Sequence, residues 1–225
     1  MKSLQLGDFE IFEGLSAEDR ATLESRSRHV HHRPGTEIFG RASSSKDVYF
    51  ILNGSVRILN YSDSGRQVTF AAVPKGNFFG ELAAIDGLPR SASATAIEAT
   101  DLAVIPANTF LALVRGNPDV ALSLIRRLTS IVRDCDQRIF DLSTLGAMNR
   151  VYAELLRLAQ PDAGVAGQWV VRPYPPEREI ATRVNTSRET VARAVSQLRR
   201  SGLVKRKGRN LFIMNRDVLQ KSITS

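Results

Sequence analysis

Apolar and polar positions alternate with three different periods along the 225-residue chain, and the changes of period divide it. Ser16-Ala-Glu-Asp19 reads as a helix start, with a hydroxyl to cap it and acids in the first turn to complement the helix dipole. From about residue 30 to 105, short alternations such as Val56/Ile58, Val68/Phe70 and Leu102/Val104 recur between turn clusters: Pro34-Gly35, Asn53-Gly54, Ser62-Asp-Ser-Gly65 and Pro74-Lys-Gly-Asn77. Many short strands at that spacing predict a β-sandwich or jelly roll. After Asn117-Pro118-Asp119 the apolar steps become four and three, through Leu124, Leu128, Ile131, Cys135, Leu142 and Leu145, with Arg138 breaking the seam. A narrow stripe on a helix of roughly 25 residues is best buried against a copy of itself, which predicts a parallel homodimer. The alternative is a helix packed on its own sandwich. Leu145-Gly146 reads as a hinge, followed by a second helix from Met148 to Gln160 that ends at Pro161, a loop to Gly167 and a short strand Trp169-Val-Val171.

Charge sharpens the division. The net +8 is not spread evenly: residues 1–145 sum to −1 and residues 146–225 to +9. A near-neutral body joined to a basic part predicts two domains, the smaller one facing a polyanion such as nucleic acid or a membrane surface, with a merely soluble basic domain as the alternative and nucleic acid the leading reading. The longest apolar runs, such as Val48-Tyr-Phe-Ile-Leu52, are far below the ~18 residues of a bilayer span, so no membrane partner is expected. Met1 to Glu10 lacks an apolar signal region, and Cys135 is the sole cysteine, which excludes a zinc finger or an internal disulfide framework. A cytoplasmic location is the expectation.

In the basic part, Glu177 to Val184 reads as one short helix, Asn185-Thr186 as a turn, and Ser187 or Thr186 as the cap of a second helix running to about Ser201. On a helical wheel Val191, Val195 and Leu198 share one face. Glu189, Arg193, Ser196 and Arg200 share the other, with Arg188 at the flank. Arginine forks match guanine O6 and N7, and a glutamate accepts from a cytosine amine. A solvated face with a Glu189–Arg193 ion pair is the plainer reading of that helix alone. The ribbon Leu203 to Ile213 follows directly and looks like a wing turning at Gly208, with Lys205, Arg206, Lys207 and Arg209 placed for phosphates. A winged helix-turn-helix is therefore the leading reading.

The stretch Phe78-Phe79-Gly80-Glu81-Leu82 to Pro89-Arg90-Ser91-Ala92 offers partners for the phosphate and the ribose hydroxyl of a cyclic nucleotide, though not for its base. Gly80 permits close backbone approach at the start of a short helix, Arg90 can grip a phosphate bidentately, Ser91 adds a hydroxyl, and Glu81 is left for a ribose hydroxyl. Taken singly, Glu81 is an ordinary first-turn acid and Arg90 a surface residue after a proline turn.

Together these stretches resemble the cyclic-AMP receptor protein (CRP/FNR) family of bacterial regulators, from Ser16 to about Ile213. The resemblance implies an α+β protein: a cyclic-nucleotide-binding β jelly roll over residues 1–117, a dimerisation helix over 118–145 and a winged helix-turn-helix over 146–225. It implies that Gly80, Glu81, Leu82, Arg90, Ser91 and Ala92 form the nucleotide pocket. Ser187, Arg188, Glu189, Arg193 and Lys205 would contact a TGTGA-type palindrome, with RNA polymerase as a further partner. The chain departs from the family at one place: counting from Asn117, the adjacent Thr-Ser pair that grips adenine falls on Cys135 and Asp136, and a carboxylate can accept from adenine or from guanine, so cyclic AMP is the first expectation and cyclic GMP the second. The same architecture sensing a metabolite or haem, or a regulatory subunit acting on a protein partner, are the rival readings. His29, His31 and His32 read as an exposed strand edge and not as a metal site, since no further ligand stands near them in sequence. Cys135 reads as a small buried seam residue. With no nucleophile elbow, Walker loop or paired-metal motif, no catalysis is expected.

Overall fold

The computed structural model describes residues 5–162, 164–165 and 167–223, and it divides into two compact units, Met1–Ile131 and Val132–Ser225. In the first unit, two short 3-10 turns lead into α1 (Ala17–Ser25), whose cap is Ser16 as expected: its hydroxyl accepts from the Asp19 N–H at 3.0 Å. Eight strands follow: β1 (Arg28–His32), β2 (Glu37–Phe39), β3 (Val48–Asn53), β4 (Ser55–Tyr61), β5 (Gln67–Pro74), β6 (Phe78–Phe79), β7 (Ser93–Ala96) and β8 (Thr100–Ile105). They form two antiparallel four-stranded sheets, ordered β1-β8-β3-β6 and β2-β7-β4-β5.

The run Val48 to Leu52 does not alternate because β3 is covered on both faces. Tyr49 and Ile51 meet Val56, Val73 and Ala94 between the sheets, while Phe50 on the outer face packs among Phe9, Phe12, Phe78 and Phe110. At the β3–β4 turn Gly54 has φ +83°, and a Cβ there would lie 2.5 Å from the Ala99 carbonyl, so only glycine fits. α2 (Glu81–Asp86) sits between β6 and β7, and α3 (Ala107–Gly116) precedes the long α4 (Pro118–Thr144).

The alternative reading of that long helix, packing on its own sandwich, holds for its first turns. Val120 and Leu124 are buried in the core of the first unit, with Leu128 packed against it. A stripe starts at Ile125 and runs through the half-buried Leu128 to the exposed Val132, Cys135, Ile139 and Leu142. Its steps are an unbroken three and four, so Arg138 is not on it. Of the expected seam, Leu124 belongs instead to the core of the first unit, while Cys135 and Leu142 are exposed in the single chain.

The second unit holds the end of α4 together with α5 (Ala147–Leu158), α6 (Glu177–Arg183), α7 (Arg188–Arg200) and α8 (Arg216–Lys221). Four short strands, β9 (Gln160–Pro161), β10 (Trp169–Val171), β11 (Val204–Lys207) and β12 (Asn210–Ile213), form one sheet ordered β11-β12-β10-β9. α5 stops two residues short of the expected Gln160, because Ala159 turns extended and the next two residues pair with β10. The wing is thus half of a four-stranded sheet.

The break at Gly146 is present but braced. Arg157 on α5 reaches back across it to Asp141 on α4 at 2.6 Å and also binds Glu154, which Arg183 of α6 contacts at 3.2 Å; Arg183 in turn binds Glu179 at 2.7 Å. Arg150 donates to the carbonyls of Leu145, Val184 and Asn185, tying the end of α4 to the turn between α6 and α7. With Glu154 only 1% exposed, removing one of its cations leaves a buried carboxylate short of compensation. Arg183→Met is expected to destabilise this unit by about 3–5 kcal/mol, read as a lowered urea midpoint, whereas a change within about 1 kcal/mol would refute the burial argument.

Candidate functional site

Gly80 caps α2 in the left-handed region, φ +86°, and a Cβ there would come within 2.7 Å of Arg90 Nη1. The glycine is required because Arg90 folds in behind it. Arg90 is 3% exposed, which the reading as a surface residue did not anticipate. Its Nη1 donates to the Gly80 carbonyl at 2.7 Å, its Nη2 to the Asp47 carbonyl at 2.7 Å and its Nε to the Ser45 hydroxyl at 3.2 Å, while the guanidinium stacks 4.2 Å over the Phe39 ring. Three of its five N–H donors are used in this way. Burial pulls the guanidinium below its ordinary pKa, with the Tyr49 hydroxyl and Asp47 countering it.

Glu81 follows at the first position of α2 and is 6% exposed. Burial raises its carboxyl above the ordinary value, against the pull of its own backbone N–H, Arg127 and Arg90. A carboxyl whose pKa is raised by folding opposes the folded state when ionised, and that opposition fades as pH falls through the folded value towards the unfolded one. Glu81→Gln is therefore expected to raise the melting temperature of the empty chain at neutral pH. A lowered melting temperature would show that Arg90 and Arg127 outweigh the burial.

Of the other sequence-predicted pocket residues, Ala92 is buried, Ser91 exposed and Leu82 exposed on the outer side of α2. Asn60 on β4 donates to the Ser91 carbonyl at 3.1 Å, leaving its own carbonyl oxygen buried and without a hydrogen-bond partner. Arg127 on α4 was missed by sequence reasoning. It donates to Asn77 Oδ1 at 3.1 Å and to the Phe78 carbonyl at 2.6 Å and stacks 4.3 Å over Phe78, so it anchors α4 beside the strand that enters the Gly80 turn. A signal existed: Arg127 is seven residues after Val120 and three after Leu124, a charged residue in core phase. Cys135 and Asp136 are exposed positions of α4 in the second unit.

The histidines lie on β1, an edge strand, as expected. The acid that the local sequence lacked arrives across the sheet: Asp101 pairs with His31, its Oδ1 2.6 Å from His31 Nδ1. This pair lines a cleft of about 450 Å³ with His29, Glu24 and Asn53. Among the described residues no group of three or more His, Cys, Asp or Glu side chains is placed to hold a metal.

In the second unit α6 and α7 meet through a turn in which Asn185 takes φ +53°. Ser187 caps α7, accepting from the Thr190 N–H at 3.2 Å, and Val191, Ala194, Val195 and Leu198 are buried in the unit's core. Arg188, Glu189 and Arg193 are all exposed. The Glu189 carboxyl is held below its usual range by the backbone N–H at the helix start and by the Ser187 hydroxyl. On β11, Lys205, Arg206 and Lys207 project into solvent.

A β-sandwich followed by a basic winged helix-turn-helix is the architecture of a DNA-binding regulator. The chain is matched by the cyclic nucleotide-binding domain family over residues 29–117 and by the Crp-like helix-turn-helix domain family over residues 149–222. It is 33% identical over 195 residues to the cyclic AMP receptor protein of Thermus thermophilus, covering 87% of this chain and 88% of that protein. The chain belongs to the CRP/FNR family of DNA-binding transcription regulators. Among solved structures it resembles FixK2 of Bradyrhizobium japonicum, with TM-score 0.75 and 26% identity over 87% of this chain and 96% of that one. The fold is shared with the c-di-GMP responsive regulator CLP of Xanthomonas campestris, TM-score 0.71 and 20% identity over 88% and 99% of the two chains. Among the described residues no helix is long and apolar enough to cross a membrane.

Proposed function

We propose that the protein is a cyclic-AMP-gated transcription regulator that binds TGTGA-type palindromes as a homodimer in the cytoplasm, with RNA polymerase as its downstream partner. The observation that carries the effector is the placement of Arg90 and Glu81 on either side of the Gly80 turn. One is a cation with donors beyond those the backbone uses; the other is a buried carboxylate that a ribose hydroxyl would satisfy. Gly80, Leu82, Ser91 and Ala92 complete the pocket. Cys135 and Asp136 are proposed as the base-facing positions on resemblance alone, which keeps cyclic GMP as second choice.

The dimer reading is supported by the exposed stripe on α4. Ile125, Val132 and Ile139 recur every seven residues, and Leu128, Cys135 and Leu142 follow each by three. β-branched residues at the first position and leucine at the second favour two parallel strands. A two-fold dimer would present two α7 helices to half-sites ~34 Å apart, with Ser187, Arg188, Glu189 and Arg193 at base edges or phosphates and Lys205 on the backbone. Ligand must prefer the DNA-competent arrangement for binding to be gated.

The test is a titration of labelled TGTGA duplex with the pure chain, with cyclic AMP, cyclic GMP or neither. Tight binding only with cyclic AMP supports the proposal; equal binding in all three overturns the gating. A different effector is the second reading, favoured by the commitment of three Arg90 donors to the protein itself and by the effector named for CLP. Calorimetry with cyclic AMP, cyclic GMP and c-di-GMP separates these ligands.

A further inference from the structure

We infer that Glu177 is a positioning residue for base reading, holding Arg188 by its Nε so that its paired Nη groups face outward toward a guanine edge. The inference rests on the reading of Arg188 as a base contact. Glu177 stands in the first turn of α6, and its Oε2 lies 3.6 Å from Arg188 Nε in the first turn of α7. The glutamate is largely covered, 27% exposed at its side chain, whereas Arg188 is 72% exposed. An arginine can meet guanine O6 and N7 through its two Nη atoms, and a carboxylate at Nε leaves that pair unblocked.

The same short segment organises the wing. The Tyr174 N–H donates to the Arg209 carbonyl at 2.8 Å in the wing turn, and Arg206 stacks 5.2 Å over the Tyr174 ring. Tyr174 is buried, and its phenol is pushed up to about 12 by burial and by the nearby Glu177 carboxylate. Residues 174–177 therefore touch both DNA-facing elements of the unit: Arg206 and Arg209 through the tyrosine, Arg188 through the glutamate.

A carboxylate on this face works against phosphate attraction in a region that is otherwise strongly basic, so Glu177 lowers affinity for any duplex. What it returns is order. Arg188 loses rotamers before DNA arrives and gives up less freedom on binding. A merely structural glutamate would not produce the resulting signature, in which removing its charge tightens sequence-neutral binding and weakens discrimination.

The experiment measures anisotropy of the full-length chain, with and without cyclic AMP, on a TGTGA palindrome, on palindromes with each half-site guanine replaced, and on an unrelated duplex. Glu177→Gln is expected to bind the unrelated duplex about twofold or more tightly and to lower the ratio of cognate to guanine-replaced affinity about three- to tenfold. In an Arg188→Ala background the same change should leave that ratio untouched, because Glu177 acts through the arginine. An unchanged ratio for Glu177→Gln alone, a uniform loss on all duplexes, or an effect that persists without Arg188 overturns the inference. If Arg188→Ala itself keeps the ratio, the base-reading assignment falls and the inference falls with it.

Discussion

Arg90→Leu is expected to weaken the proposed cyclic-nucleotide binding strongly and to destabilise the sandwich in the same step. Were Arg90 the surface residue after a proline turn that it reads as when taken singly, the fold would survive intact. Its burial and its bonds to Gly80, Asp47 and Ser45 change that expectation. Leucine leaves two backbone carbonyls without their donors, each worth about 1–3 kcal/mol when it stays dry, and loses the stack on Phe39. The lost charge-assisted contacts to a phosphate should weaken nucleotide binding by about tenfold to a hundredfold or more. Calorimetry and thermal unfolding read the two effects separately. An unchanged melting temperature would contradict the structural role, and unchanged affinity would contradict the pocket. Arg90→Lys keeps the charge but cannot span both carbonyls, so it should fall between wild type and leucine in both measurements.

Ile139→Asp is expected to convert the proposed dimer to a monomer and to abolish the proposed tight binding to a palindrome. Ile139 is 62% exposed in the chain, so the substitution removes no contact from the subunit's own core. In a parallel pair each new carboxylate would meet its symmetry mate within the apolar seam, which couples desolvation to like-charge repulsion. Light scattering at micromolar concentration reads the oligomeric state. The choice of residue also separates the two possible phases of α4: Leu124→Asp should unfold the first unit without selectively splitting a dimer, because Leu124 lies in that unit's core. A dimeric Ile139→Asp protein with wild-type DNA affinity would rule out the seam.

Much of the fold was legible because it depends on local rules. The Ser16 cap, the Asn53-Gly54 turn, the strand-rich stretch between, and the pattern of Val191, Val195 and Leu198 on α7 each follow from neighbours a few residues apart. The phase of α4 was not so accessible. Its apolar residues serve two surfaces in succession, and a helix carrying Leu124, Ile125, Leu128, Ile131 and Val132 permits two stripes one position apart. Burial of Val120 and Leu124 gives the first turns to the core of the first unit.

The candidate pocket divides in the same way. Gly80, Glu81 and Arg90 stand out in sequence because their chemistry is unusual at that spacing. Their partners Phe39, Ser45, Asp47, Asn60 and Arg127 do not, since each is ordinary where it stands and important only for what folding brings beside it.

By itself the sequence determined the order of elements, the basic reading unit and which residues stand out as candidates for ligand chemistry, because periodicity, caps and charge act over a few positions. Only the tertiary structure decided that Arg90 is interior, that Asp101 answers His31 across a sheet, and that Arg157 and Arg150 brace the break at Gly146. Those contacts join residues that are far apart in the chain or set by the phase of a whole helix. Their energies depend on which groups lose water together, a property of the packed molecule.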